Sequence, residues 1–236
     1  MALSLSTRMT AFIDEVLRLN LELAAFDCDG TLWSGDAGES FFWWELEHGV
    51  VSHDVAEWAR SRYQAYRAGA VPEEIMCGEM VTIHRGIEEK QIQLATDHFF
   101  DRTLVEGIFP EMQELIRRLH LNGCQVWAVS SSSQWIIRSG MKYFGIPADR
   151  ILATEVKVEE GIITDQLVRV PSGPGKPQAI RDVIKRTPNA AFGNSQWDVE
   201  MLEMAPHAFA INPNRGLQPV ANEKRWTIYF PDSTGA

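Results

Sequence analysis

Three cysteines in 236 residues, Cys28, Cys77 and Cys124, are too few and too irregularly spaced for a disulfide framework or a CxxC metal motif. Their scarcity fits a reducing compartment. Positive charge is also short: 22 Lys and Arg stand against 32 Asp and Glu, for a formal charge of −10. This argues against a nucleic-acid or anionic-membrane surface while leaving room for a local basic pocket. Long apolar runs are missing as well. The start, Met1 to Asn20, is interrupted by Arg8, Asp14, Glu15 and Arg18 and reads as an amphipathic helix rather than a signal or spanning segment, so a cytoplasmic location is expected. There is no internal repeat and no long low-complexity segment. What is present is an ordinary 45% of apolar residues, enough for one large domain or a core domain with a substantial insertion.

Apolar runs ending in polar residues predict strands at Leu23–Asp27 and Gln125–Ser130. Between them, Ser40–Leu46, His53–Ala68, Glu73–His84 and Glu88–Phe100 read as helices, an all-helical insertion. The cluster Phe41-Phe42-Trp43-Trp44 suits helix core or an interdomain face better than a ligand box. Phe109–Leu121 is a helix stopped by Asn122-Gly123. Downstream, helices are expected at Gln134–Phe144, Pro177–Arg186 and Trp197–Ala205. Strands are expected at Arg150–Ala153, Ala190–Phe192, Ala208–Ile211 and Trp226–Phe230, with a hairpin of Val156–Val158 and Ile162–Val168 about Glu159-Glu160-Gly161. Strand and helix signals alternating around one helical block favour an α/β sandwich with a cap.

Four stretches could meet above the C-terminal edges of parallel strands, where open α/β folds place ligands. Asp27-Cys28-Asp29-Gly30-Thr31-Leu32 follows the apolar Leu23-Ala24-Ala25-Phe26; its i, i+2 carboxylates share one side of an extended backbone before Gly30 turns the chain. Such a pair suits a nucleophile and an acid/base beside a divalent cation. Ser130-Ser131-Ser132-Ser133 could hold phosphate oxygens at a strand-to-helix junction. Lys176, in Gly173-Pro174-Gly175-Lys176-Pro177, could neutralise a phosphoryl group. Gly193-Asn194-Ser195-Gln196-Trp197-Asp198 could bring an amide oxygen and a carboxylate to a cation. Taken singly, these are also a structural turn, a helix cap, a surface lysine and a capped helix start.

In this order the four stretches resemble the haloacid-dehalogenase superfamily, in its phosphoserine-phosphatase-like branch. The resemblance implies a Rossmann-like three-layer sandwich of residues 1–34 and 104–236 with a mostly parallel sheet, and a helical cap at 35–103. It implies that Asp27 is a nucleophile forming an aspartyl-phosphate and Asp29 the acid that protonates the leaving alcohol and then the base that activates water. It implies that Ser130 holds a phosphoryl oxygen and that Lys176 keeps phosphate and Asp27 in register. Mg²⁺ would take the Asp27 carboxylate, the Asp29 main-chain carbonyl and Asn194, with Asp198 supporting its water shell or Lys176. Asn194 departs from the usual aspartate and removes one negative charge from that site. Ser131-Ser132 replaces glycines common after the second motif.

On that footing the expected partner is a small phosphorylated metabolite, and the chain a monomer or homodimer. Substrate contacts are expected from Ser131, Asp36 and Glu39 with Trp33 and Phe42, a set that would favour an amino-bearing or cationic phosphomonoester; the same residues could instead only hold the cap on the core. Phosphoryl transfer to an acceptor other than water, and a phospho-ligand-binding protein impaired by Asn194, are the alternatives. His84 and His98 have no spacing partner for a metal and are expected on the cap surface or as satisfied core residues.

Overall fold

The computed structural model describes residues 6–232. The chain begins with α1 (Thr7–Leu17), enters a sheet at β1 (Leu23–Phe26), and leaves it for α2 (Ala37–Glu47), α3 (His53–Arg67), α4 (Glu73–Thr82) and α5 (Glu89–Phe99). α6 (Pro110–Leu121) returns it to β2 (Gln125–Ser133), and α7 (Gln134–Met141) leads to β3 (Ile151–Glu159) and β4 (Ile162–Arg169). Then follow α8 (Gly175–Ala179), β5 (Ala190–Gly193), α9 (Val199–Met204), β6 (His207–Ile211), α10 (Leu217–Lys224) and β7 (Thr227–Tyr229).

The seven strands lie in the order β4-β3-β2-β1-β5-β6-β7. Every pairing is parallel except the β3–β4 hairpin at one edge. β1 is central and buried at all four positions, as its uninterrupted apolar sequence requires. Its side chains alternate between two apolar layers. Ala24 and Phe26 face α1, α6 and α7, where Ile13, Val16, Leu115 and Ile136 pack, whereas Ala25 joins Ala179, Met201, Leu202 and Leu217 from α8, α9 and α10. The result is the expected α/β sandwich with a mostly parallel sheet.

Several boundaries differ for identifiable reasons. β2 runs on to Ser133, through the serine loop, and β3 is continuous where two strands were expected. The helix expected at Pro177–Arg186 is α8 followed by a π-helical turn, Ile180–Ile184, ended by Lys185 at φ +57°. α10 was not anticipated. Pro219 falls in its first turn, where the missing N–H has no intrahelical partner to lose, so the helix is not broken there. The N-terminal helix covers Thr7–Leu17, and residues 1–5 of its expected span lie outside the described residues.

The segment between β1 and β2 is helical, as expected, and its aromatic cluster is divided between two cores. Phe41 joins Phe99 and Phe100 in the main core; Phe42 joins Leu46, Tyr63, Met76 and Ile83 in a separate apolar cluster.

Candidate active site

β1 and β5 are adjacent and parallel, so the loops leaving their C-terminal ends meet. Asp27 N–H donates to the Phe192 carbonyl at 2.9 Å, carrying the pairing one residue beyond β1. Gly30 then adopts φ +72°, and a Cβ there would stand 1.9 Å from Asn194 Nδ2. Glycine is required at this position twice over, for the left-handed turn and for the close approach of the Asn194 amide.

Lys176, in the first turn of α8, is buried beneath this junction. Its ammonium donates to Asp27 Oδ1 at 2.7 Å, Asp198 Oδ1 at 2.5 Å and the Val129 carbonyl at 3.1 Å. All three donors are therefore used. Burial alone would depress the Lys176 pKa, but Asp198 and Asp27 more than offset it and leave it raised. The other Asp198 oxygen accepts from the N–H groups of Asn194 and Ser195, both at 2.9 Å. Asp198 thus positions Lys176 and the β5 loop. It is fully buried, and both of its carboxylate oxygens accept hydrogen bonds from these partners.

Asp27 Oδ2 accepts from the Thr31 hydroxyl at 2.7 Å. Burial, reinforced by Asp198, pushes the Asp27 carboxyl up to about 7 against the opposing pull of Lys176 and Thr31. Asp29 has a different shell. It accepts from Trp33 Nε1 at 2.9 Å, Ala37 N–H at 2.6 Å and the Ser132 hydroxyl at 2.6 Å, all neutral donors. Burial and then the Asp36 charge push it up to about 7 also.

Two expected residues, Trp33 and Ser130, lie off the cavity wall, and a third, Asp36, lies on it. Trp33 is fully buried against Phe100 and does not line the cavity; its indole N–H orients Asp29, because the turn at Gly30 directs it inward. Ser130 is buried with Oγ accepting from the Ser132 N–H at 3.1 Å, so it shapes the serine loop while Ser131, Ser132 and Ser133 line the cavity. Asp36 caps α2, accepting from the Glu39 N–H at 2.7 Å, and stands on the cavity rim with Glu39.

The cavity, of about 500 Å³, runs from Asp27, Asp29, Lys176 and Asn194 to the helical segment, where Phe42 forms part of its wall. At that far end lies a pair the sequence did not reveal. Glu45 and His84, each 1% exposed, meet at 2.6 Å between Oε2 and Nε2. A signal for Glu45 was available, since it follows Phe41 and Phe42 at helical spacing on a buried face. His84 is a satisfied core residue, one of its two expected settings, and His98 is exposed.

The donor set fits a hard divalent cation. Among the described residues no three His, Cys, Asp or Glu side chains form a metal cluster, so such an ion would draw on amide and main-chain oxygens as well. Asp27, Asp29 and Asn194 line one cavity and offer oxygen only, the chemistry Mg²⁺ takes. The buried carboxylates of Asp27 and Asp198 share a single ammonium and Asp29 lies nearby with neutral donors only, a charge imbalance that a divalent ion would relieve.

The family model described as haloacid dehalogenase-like hydrolase matches residues 24–203. A Mycobacterium tuberculosis protein named as a probable phosphatase is 32% identical over 126 residues, 51% of this chain and 43% of that protein. The chain thus spans less than half the length of that curated relative. A Bordetella pertussis protein of unknown function has a TM-score of 0.72 at 19% identity, covering 88% of this chain and 97% of that one. A phosphoserine phosphatase structure described as a phospho-aspartyl intermediate analogue has a TM-score of 0.58 at 18% identity, with 91% and 96% covered. At these identities the structural likeness is one of fold.

Proposed function

The chain belongs to the haloacid dehalogenase-like hydrolases, and from that premise we propose that it hydrolyses a small, amino-bearing phosphomonoester through an aspartyl-phosphate on Asp27, with Mg²⁺ as its cation. The observation that carries this reading is the unlike setting of two carboxyl groups in one cavity: Asp27 against a buried ammonium, Asp29 among neutral donors. Mg²⁺, held by the Asp27 carboxylate, the Asp29 main-chain carbonyl and Asn194 Oδ1, would supply the positive charge that ionises Asp27 and offsets that of the phosphate.

An Asp27 carboxylate oxygen attacks phosphorus and the bond from phosphorus to the ester oxygen breaks. Asp29, protonated near neutrality in its buried setting, gives its proton to the departing alkoxide. Asp29 then takes a proton from water as the water oxygen attacks phosphorus and the bond to Asp27 breaks, releasing inorganic phosphate. Lys176 fixes the attacking carboxylate through Oδ1 and lowers its repulsion of the incoming anion. Residues 35–103 act as the cap that receives the rest of the substrate.

The test is phosphate release from p-nitrophenyl phosphate and a panel of phosphomonoesters, with and without Mg²⁺, by the wild type and D27N. D27N is expected to lose about 10⁴-fold or more in kcat, because the attacking oxygen is replaced by an amide. Near-wild-type release by D27N would overturn the mechanism. Tight Mg²⁺-dependent ligand binding by the wild type without release would overturn the activity.

A further inference from the structure

The phosphoryl chemistry leaves the far end of the cavity unused. α2 starts at Asp29, where the Ala37 N–H donates to Oδ1, and its Gly38, Phe41, Phe42 and Glu45 form one helical face of the wall. With a rise of about 1.5 Å per residue, Glu45 stands about 12 Å along the helix from Ala37. The site for a second substrate group is therefore two turns removed from the reacting phosphorus.

The Glu45 carboxylate is held in one orientation. His84 Nδ1 lies 3.1 Å from the Val81 carbonyl, which can only accept, so Nδ1 carries a proton, and the 2.6 Å contact of Nε2 with Glu45 Oε2 holds a second proton between the two groups. Trp135 packs edge-on against the imidazole. Glu45 Oε1 makes no hydrogen bond among the described residues, and Glu45 belongs to the cavity wall. Oε1 is not among the sealed, unpartnered side-chain atoms of the described residues, so it is an acceptor that reaches the cavity. An oxygen acceptor here calls for a ligand that donates. The charge of the cavity as a whole sets the sign of that donor. Asp36, Glu39 and Glu73 line the cavity against one arginine, Arg67, with Phe41, Phe42, Tyr63 and Tyr66 supplying aromatic faces. Carboxylates beside aromatic faces suit an ammonium and repel a second anion.

Building on the phosphatase reading, we propose that Glu45 is a specificity-determining residue that takes a protonated amine at the far end of an elongated phosphomonoester, with His84 as its positioning residue. The amine is set by α2 at a distance that a two-carbon chain does not span.

Phosphate release is measured with Mg²⁺ for linear ω-aminoalkyl phosphates of two to six carbons, each against the alkyl phosphate of equal length, and for p-nitrophenyl phosphate. The amine is expected to raise kcat/KM about ten- to a hundredfold in the longer members, the worth of a hydrogen bond to a charged group, and far less at two carbons. Glu45→Gln is expected to collapse the ratio between amino and alkyl members toward one. Glu45→Asp, which withdraws the carboxylate by one methylene, should move the preferred length up by one carbon. His84→Asn should raise KM for the long amino substrates more than it lowers kcat, which a purely structural loss would not do. Thermal unfolding reports whether each variant folds, and the wild-type series decides even where a variant does not. Equal efficiency for amino and alkyl members, or a preference already complete at two carbons, overturns this inference and leaves the phosphatase reading standing. A folded E45Q that keeps the full preference overturns the assignment to Glu45. No release from any member, p-nitrophenyl phosphate included, overturns the phosphatase reading and this inference with it.

Discussion

Two charge clusters in this protein are mirror images. At the site, one ammonium, Lys176, is shared by two carboxylates, Asp27 and Asp198, with side-chain exposures of 2%, 8% and 1%. On α6, one carboxylate, Glu114, is shared by two guanidinium groups, Arg117 and Arg118, with exposures of 20%, 58% and 31%. The contact distances are alike, 2.5 to 2.7 Å in one and 2.6 to 2.7 Å in the other. What differs is water. In the buried cluster each charge depends on its partners to offset lost hydration, so the arrangement is strongly coupled but adds little net stability. In the exposed cluster solvent can replace either partner, and the pairs contribute little whether present or absent.

The sharpest way to break this comparison is Lys176→Met. Both Asp27 and Asp198 would be left buried without their cation, and removing one partner of such a pair costs about 3–5 kcal/mol. Urea unfolding at pH 7 should show that loss, and phosphate release should fall by a further large factor, on the order of 10²-fold or more, because Asp27, the nucleophile of the proposed mechanism, is no longer fixed or shielded. A loss under about 1 kcal/mol would place Lys176 with the surface pairs and undo the distinction.

The buried cluster was legible in the sequence because its parts are local signals: two aspartates at i, i+2 after an apolar strand, a lysine opening a helix, and a Gly-x-Ser-x-x-Asp stretch after another apolar strand. The central parallel strands were legible for the same reason, their apolar runs being short and bounded. The pairing of Glu45 with His84 was not, since the two lie 39 residues apart, one on α2 and the other in the turn after α4. Only the packing of α2 against the end of α4 brings them together. Trp33 shows the opposite case: its aromatic face beside Asp36 and Glu39 suggested a contact with substrate, but the indole is buried in the core against Phe100.

Asn194→Asp sharpens the comparison by adding a charge to the buried side. If Asn194 is a direct Mg²⁺ ligand, the aspartate form should need about tenfold less Mg²⁺ for half-maximal phosphate release, since a carboxylate attracts the ion more strongly than an amide oxygen. The rate itself is a poorer readout, because the new charge also repels the incoming phosphate and acts on Asp29. Isothermal titration with Mg²⁺ alone gives the affinity without turnover. Superimposable titrations for the two forms, at one pH and ionic strength, would remove Asn194 from the ligand set.

Glu114→Gln should have the smallest effect. Hydrogen bonds from Arg117, and then Arg118, hold the Glu114 carboxyl down at about 2. A carboxyl whose folded pKa lies below its unfolded value, about 4.3, adds stability that is complete above the unfolded value and is lost as pH falls through the folded one. The shift taken at face value would give roughly 3 kcal/mol, but Arg117 is more than half exposed and the attraction is screened, which reduces it to about 1 kcal/mol or less. Wild type and E114Q compared by urea unfolding should therefore differ by less than about 1 kcal/mol at pH 7, by about half of that near pH 3, and by nothing measurable near pH 2. High salt should shrink the pH 7 difference further, whereas the loss in K176M should be nearly insensitive to salt because its charges lie out of reach of the ions. Equal salt sensitivity in the two variants would show that burial does not set the two clusters apart.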